Sequence, residues 1–115
     1  MSQIEDVGPA SLAYEHLHLD DREVLVLRGD IDLSNVDLLR TALAGLTGPL
    51  RVVDFCYVTF IETIAIHALI DHDRGLPDGV DLQLVFNRDS IVARVFSIIR
   101  VDEMFDCAEC HSEYH

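Results

Sequence analysis

Three cysteines and six histidines are the first residues in this 115-residue chain whose types can do chemistry. Cys107, Cys110 and His111 form a Cys-x-x-Cys-His string, with His115 four residues beyond it. The string matches the pattern of covalent haem attachment. That chemistry needs an export signal and a pocket, and the sequence offers neither. The same four residues could supply a tetrahedral shell for zinc. Cys110 and His111 are adjacent, however, and a polar tail gives ligands little to orient them. Metal binding there ranks below the other readings, and no resident metal or cofactor is expected. His16 and His18 share one face of an expected strand, His67 and Asp71 stand at i and i+4, and His72 precedes Asp73. On an exposed helix such spacings ordinarily mean polar surface and local pairing. Asp30, Asp32, Asp54 and Glu62 all fall where expected strands or helices end. Turn and cap chemistry explains each singly, although strand ends of an open α/β sheet are where ligands gather. Thr63, beside Glu62, stands at a helix start, where a hydroxyl can cap a free N–H. No Gly-x-Ser-x-Gly, His-Glu-x-x-His or Gly-rich phosphate loop occurs, and no nucleophile–base pair suggests itself. The expectation is a binding protein and not an enzyme.

Charge narrows the partners. Formal net charge is −13, from 21 acidic residues against 8 basic ones, all of them Arg. Nucleic-acid binders need a basic footprint, and an anionic membrane repels this chain. A basic patch on another protein is the better match. The absence of Lys removes Schiff-base chemistry and the phosphate-binding Lys of a P-loop. No apolar run approaches the length of a membrane span. Met1 to Gly8 carries Glu5 and Asp6 in place of a basic region, unlike a signal peptide. Cys56, Cys107 and Cys110 are an odd count with no disulfide framework. The expected location is the cytoplasm.

The elements that must position these residues follow from periodicity. Residues 1–10 read as a polar arm and 108–115 as a polar tail, with one domain over 11–107. A strand from Ser11 to Leu19 turns at Asp20-Asp21 into Val24–Leu27, apolar on both faces, which suggests an antiparallel hairpin. Ser34 followed by Asp37 signals a helix start. Val36, Leu39, Leu43 and Leu46 then mark a helix over about 34–47. Leu50–Phe55 is a strand, and Ile61, Ile64, Ala65, Ala68 and Leu69 define a helix face over about 63–74. Val80–Phe86 is a strand, and Ile91, Val92, Val95, Phe96 and Ile99 lie on a helix over about 90–99. Strands alternating with helices mean an α/β domain with parallel crossovers. Ile61, Ala65, Ala68 and Leu69 are expected to pack on Val52, Phe55 and Leu84. Deleting Cys107 onward is expected to leave cooperative unfolding intact, apart from some loss if Cys107 pairs in an edge strand.

Three segments resemble STAS domains, the sulfate-transporter and anti-sigma-factor-antagonist family. Leu27-Arg28-Gly29-Asp30-Ile31-Asp32 is similar to the family's L-x-G-E-L-D. Val52 to Thr63 is similar to V-L-D-L-S-x-V-x-F-I-D-S. Arg94-Val95-Phe96 with Val101-Asp102-Glu103-Met104-Phe105 is similar to R-x-F-x-x-x-G-L-D-x-L-F. The three occur in the family's order and cover roughly residues 11–107. The resemblance implies a STAS fold: a mixed four- to five-stranded sheet with an N-terminal hairpin and three to four crossover helices. It also implies an anti-sigma factor antagonist that binds an anti-sigma factor of serine-kinase type and is switched by phosphorylation at Thr63. Asp30, Asp32, Glu62, Thr63 and Ile64 then form the partner-binding face. The chain departs from the family's Asp-Ser-Ser-Gly loop, which here reads Glu62-Thr63-Ile64-Ala65, and Arg100 replaces a Gly before the last motif. Ile64 and Ala65 favour a second reading, a scaffold STAS domain that binds constitutively without phosphorylation, while Thr63 favours the first. A third is a metal- or redox-responsive protein using the C-terminal Cys/His tail.

Overall fold

A computed structural model describes residues 12–110. Five strands, β1 (Leu12–His18), β2 (Glu23–Ile31), β3 (Leu50–Ile61), β4 (Asp81–Phe86) and β5 (Asp106–Glu109), lie in the order β1-β2-β3-β4-β5. β1 and β2 form the expected antiparallel hairpin, and the other pairs are parallel. Parallel neighbours need crossovers, which α1 (Val36–Ala44), α2 (Thr63–Arg74) and α3 (Ile91–Ile99) supply. A single 3-10 turn, Val101–Glu103, leads from α3 into β5.

Alternation along the strands sorts the core into two layers. Leu25, Leu27, Val53, Phe55 and Leu84 face the helices, where they pack with Leu39, Leu43, Ile66, Leu69, Val92 and Phe96. Val24, Val26, Val52 and Val85 form a smaller cluster with Cys56, Ala108 and Cys110 partly buried against it. Ile61, Ala65, Ala68 and Leu69 do pack in the layer of Phe55 and Leu84. Val52 does not. It lies in the other layer, one residue out of phase with Val53, as the two-residue period of a strand requires. Leu69 is fully buried. Leu69→Ala is expected to cost roughly 2–5 kcal/mol through lost transfer energy and a residual cavity, measurable by urea unfolding.

β3 runs six residues further than Phe55, because two irregularities in its pairing with β2 let it continue. Val26 pairs with Asp54 and Arg28 with Tyr57; Gly29 pairs with Val58 and Asp30 with Phe60. Each step places an extra residue on β3, the signature of a bulge. A bulge leaves an amide outside the ladder. At the first, the Asp54 carboxylate accepts the Cys56 N–H at 2.8 Å through Oδ1. Asp54 is fully buried, and this bond gives its carboxylate one of the partners that a buried polar group needs.

α1 begins at Val36, later than the sequence suggests, because Ser34 is engaged elsewhere. Its N–H and hydroxyl both donate to Asp32 Oδ1, an Asx-type turn that competes with helical geometry. At the end of α3, Arg100 takes the left-handed conformation, φ 63° and ψ 43°. It is the only non-Gly positive-φ residue among those described. The backbone therefore keeps the turn that a Gly would make at lower cost. Arg100→Gly is expected to stabilise by about 1 kcal/mol, read as a higher Tm. The lost ion pair with Glu103, at 3.3 Å on the surface, offsets little of this.

The C-terminal segment needs the largest correction. β5 occupies Asp106–Glu109, so part of the expected tail is an edge strand paired with β4. Cys110 is disulfide-bonded to Cys56, with Cα atoms 6.0 Å apart and a sequence separation of 54. The odd cysteine count thus hides one disulfide and one free thiol, Cys107. Cys107 does pair in an edge strand, so deleting Cys107 onward removes most of β5 and the cross-link, and some loss of stability is expected. No helix among the described residues is long and apolar enough to cross a membrane.

Candidate partner-binding site

The turn after β2 and the junction between β3 and α2 meet at one end of the sheet. Asn35 ties the first together. Its Oδ1 accepts the Asp32 N–H, and its Nδ2 donates to the Asp30 carbonyl, both at 2.9 Å. The Thr59 hydroxyl donates to Asp30 Oδ1, linking the end of β2 to β3. Glu62 joins the two loops. Its N–H donates to the Ile31 carbonyl at 2.9 Å, and its Oε1 accepts the Leu33 N–H at 3.0 Å. Asp30, Asp32 and Glu62 are therefore gathered at this end and fix its shape. Asp54 is not among them; it sits at the bulge beside Cys56.

Glu62 occupies the N-cap position of α2 in extended geometry, with no side-chain cap. Thr63 is the first residue inside the helix and is exposed. Its hydroxyl is not spent on capping, contrary to the cap that its position in the sequence suggests. The first N–H groups of a helix have no intrahelical partner, so the local field favours an anion. Ile64 is half-buried and packs against the main core, while Ala65 is fully buried. Ala65 thus points inward, Ile64 lies between core and surface, and Thr63 points out.

A shallow depression lined by Leu33, Ile61, Glu62, Thr63, Ile64 and Val95 opens beside Thr63. Leu33 is 72 % exposed. Along α3, Ile91, Val95 and Ile98 recur at i, i+4 and i+7, and Ile98 is 80 % exposed. The sequence reading placed Ile91 and Val95 on this helix but missed Leu33 and the exposed Ile98. The available signal was an α3 segment apolar on more than one face, which a helix with one buried side does not need.

The other candidates are dispersed. On β5, successive side chains alternate between faces. Cys107 therefore joins the helix-side core, while Cys110 lies on the opposite side. The Cys-x-x-Cys pair cannot converge on one ion from a strand. Burial, with Asp102 and Asp106 nearby, pushes the Cys107 thiol up to about 11, which leaves it protonated and a poor ligand. His111 and His115 lie outside the described residues. His16 Nε2 sits 2.9 Å from the Ala42 carbonyl, and His18 Nδ1 is 2.7 Å from Glu23. Asp71 pairs with Arg40 at 3.4 Å instead of serving His67. Burial holds the His72 pKa below the usual histidine value.

No family model matches the chain, and no curated protein matches it. Solved structures do. An anti-sigma factor antagonist from Mycobacterium paratuberculosis superposes with a TM-score of 0.81 at 19% identity, covering 88% of each chain. The anti-sigma factor antagonist SpoIIAA, in its unphosphorylated form, superposes with a TM-score of 0.69 at 17% identity, covering 88% of this chain and 90% of that one. The hairpin, the parallel strands and the three crossover helices on one face together are the fold of the anti-sigma factor antagonists, the STAS fold.

Proposed function

We propose that this chain is a cytoplasmic regulatory binding module that docks on an anti-sigma factor of serine-kinase type. Docking uses the end of the sheet carrying Asp30, Asp32, Glu62, Thr63 and Ile64, and phosphorylation of Thr63 releases the partner. The observation that carries this reading is Thr63 itself. It is an exposed hydroxyl at the open N-terminus of α2, uncommitted to capping, beside a shallow depression with an apolar lining. Structures that share the fold include an anti-sigma factor antagonist described as unphosphorylated, which makes a phosphorylatable position relevant here.

Charge supports the same partner chemistry. With −13 overall, the module is steered toward a basic patch, while Leu33, Val95 and Ile98 offer apolar contact once it arrives. Glu62 has two tasks in this arrangement, since it also holds the Leu33 loop. The test incubates the protein with a cognate kinase and reads intact mass, then maps the site by fragmentation. One added phosphate on Thr63, absent from Thr63→Ala, is the expected result. No phosphate, with undiminished partner capture by Thr63→Glu, would replace the switch with a constitutive scaffold. Ile64 is the observation that favours that second reading, because it makes the site more apolar than a serine would.

A further inference from the structure

Among the described residues, one group of metal-type ligands comes together, and it is not the Cys-x-x-Cys-His string. Asp54, Cys56 and Cys110 place one ligand atom each within 4.8 Å of one another. Asp54 and Cys56 share one face of β3, and Cys110 arrives from the end of β5. The Asp54 carboxylate is fully buried and held in position by the Cys56 N–H. Both cysteines are half-buried, which leaves a route for solvent and ions.

We infer that the reduced Cys56–Cys110 pair and Asp54 form a binding site for a single thiophilic divalent cation, zinc being the natural occupant, which the disulfide closes. Two thiolates, one carboxylate and a water satisfy the tetrahedral preference of zinc with an open fourth position. Cα atoms 6.0 Å apart let two short side chains converge on one ion, one from β3 and one from just past the end of β5. The charges agree. Two thiolates beside a buried carboxylate concentrate negative charge where solvation is poor, and a dication offsets it. Disulfides are rare in a reducing cytosol, so the dithiol state is the one that a cytoplasmic module would present.

The chemistry balances. A cellular dithiol supplies two electrons and two protons, the S–S bond breaks, and the dithiol leaves as its own disulfide. Metal binding then releases the two thiol protons as the sulfurs become ligands. In either state the bulged part of β3 stays tied to the end of β5, by a covalent bond or through the ion.

The test uses the full chain, reduced with a phosphine, and cobalt(II) as a spectroscopic probe. Reduced wild type is expected to bind one equivalent, with thiolate-to-cobalt absorption and the visible bands of a tetrahedral site. Zinc should displace the cobalt and raise the melting temperature of the reduced protein. The oxidised protein should show neither effect. Cys107→Ser should bind as wild type does. Cys56→Ser and Cys110→Ser should each lose the thiolate absorption characteristic of the pair. Asp54→Asn keeps an acceptor for the Cys56 N–H, and should weaken binding about tenfold or more. Should Cys56→Ser fold poorly, Cys110→Ser carries the same comparison from the end of β5. Absence of the bands in reduced wild type, their survival in Cys110→Ser, or their loss in Cys107→Ser would overturn the assignment.

Discussion

Reducing the Cys56–Cys110 bond in metal-free protein is expected to lower unfolding free energy by about 4 kcal/mol, a large share of a small domain's total. The magnitude follows from the loop that the bond closes. Cysteines 54 residues apart in sequence enclose α2, β4 and α3, and releasing that constraint enlarges the unfolded ensemble. A loop of this size lies between the roughly 3 kcal/mol of a 15-residue loop and the roughly 4.7 kcal/mol of a 100-residue one. Location adds to the effect. β5 is a four-residue edge strand, with little apolar surface of its own to hold it against β4. Urea unfolding with and without a phosphine reductant, in the presence of a chelator, measures the difference. Cys110→Ser should unfold at the midpoint of reduced wild type in either condition. If oxidised and reduced protein unfold at the same midpoint, the cross-link contributes nothing and this account of β5 is wrong.

The disulfide also shows where the sequence was legible and where it was not. The face of α2 could be read directly, because Ala65, Ala68 and Leu69 repeat with the helical period and all three are buried. The hairpin could be read from Asp20-Asp21 between two strands. β5 could not. Asp106 and Glu109 are exposed on a strand of four residues, which is how edge strands protect themselves and also how they escape a hydrophobic pattern. Cys56 and Cys110 meet only because β3 and β5 both run parallel to β4, a relation that no local spacing records. The part of β3 beyond Phe55 is hidden for a similar reason: its bulges interrupt the alternation that identifies a strand. The role of Asp54 depends on the first bulge and was equally hidden. Thr63 is a mixed case. Its place at the α2 start was legible, but its freedom from capping depends on the extended backbone of Glu62.

If the proposed function holds, Thr63→Glu is expected to weaken capture of the anti-sigma factor about a hundredfold, while the variant melts near wild type. A phosphate at this position adds about −1.5 to −2 charge, and Glu mimics part of it. The folded state tolerates that charge, since the α2 N-terminus offers free N–H groups and the positive end of the helix dipole. Glu62 stands next to it, but its carboxylate accepts the Leu33 N–H, so part of its charge is already engaged. The docked state has no such relief. Leu33, Ile64 and Val95 line the same depression, and a partner seated there would strip water from the new carboxylate with nothing apolar able to replace it. A loss of 2.8 kcal/mol suffices for the hundredfold change, which is within the cost of leaving one buried charge unpaired at an interface. Thr63→Ala removes the hydroxyl and adds no charge, so it should bind as tightly as wild type and stay bound in the presence of the kinase and ATP. Surface plasmon resonance against the immobilised partner, with parallel thermal melts, separates lost docking from lost folding. Equal affinities for wild type and Thr63→Glu, with equal melts, would mean that the partner seats away from the α2 N-terminus.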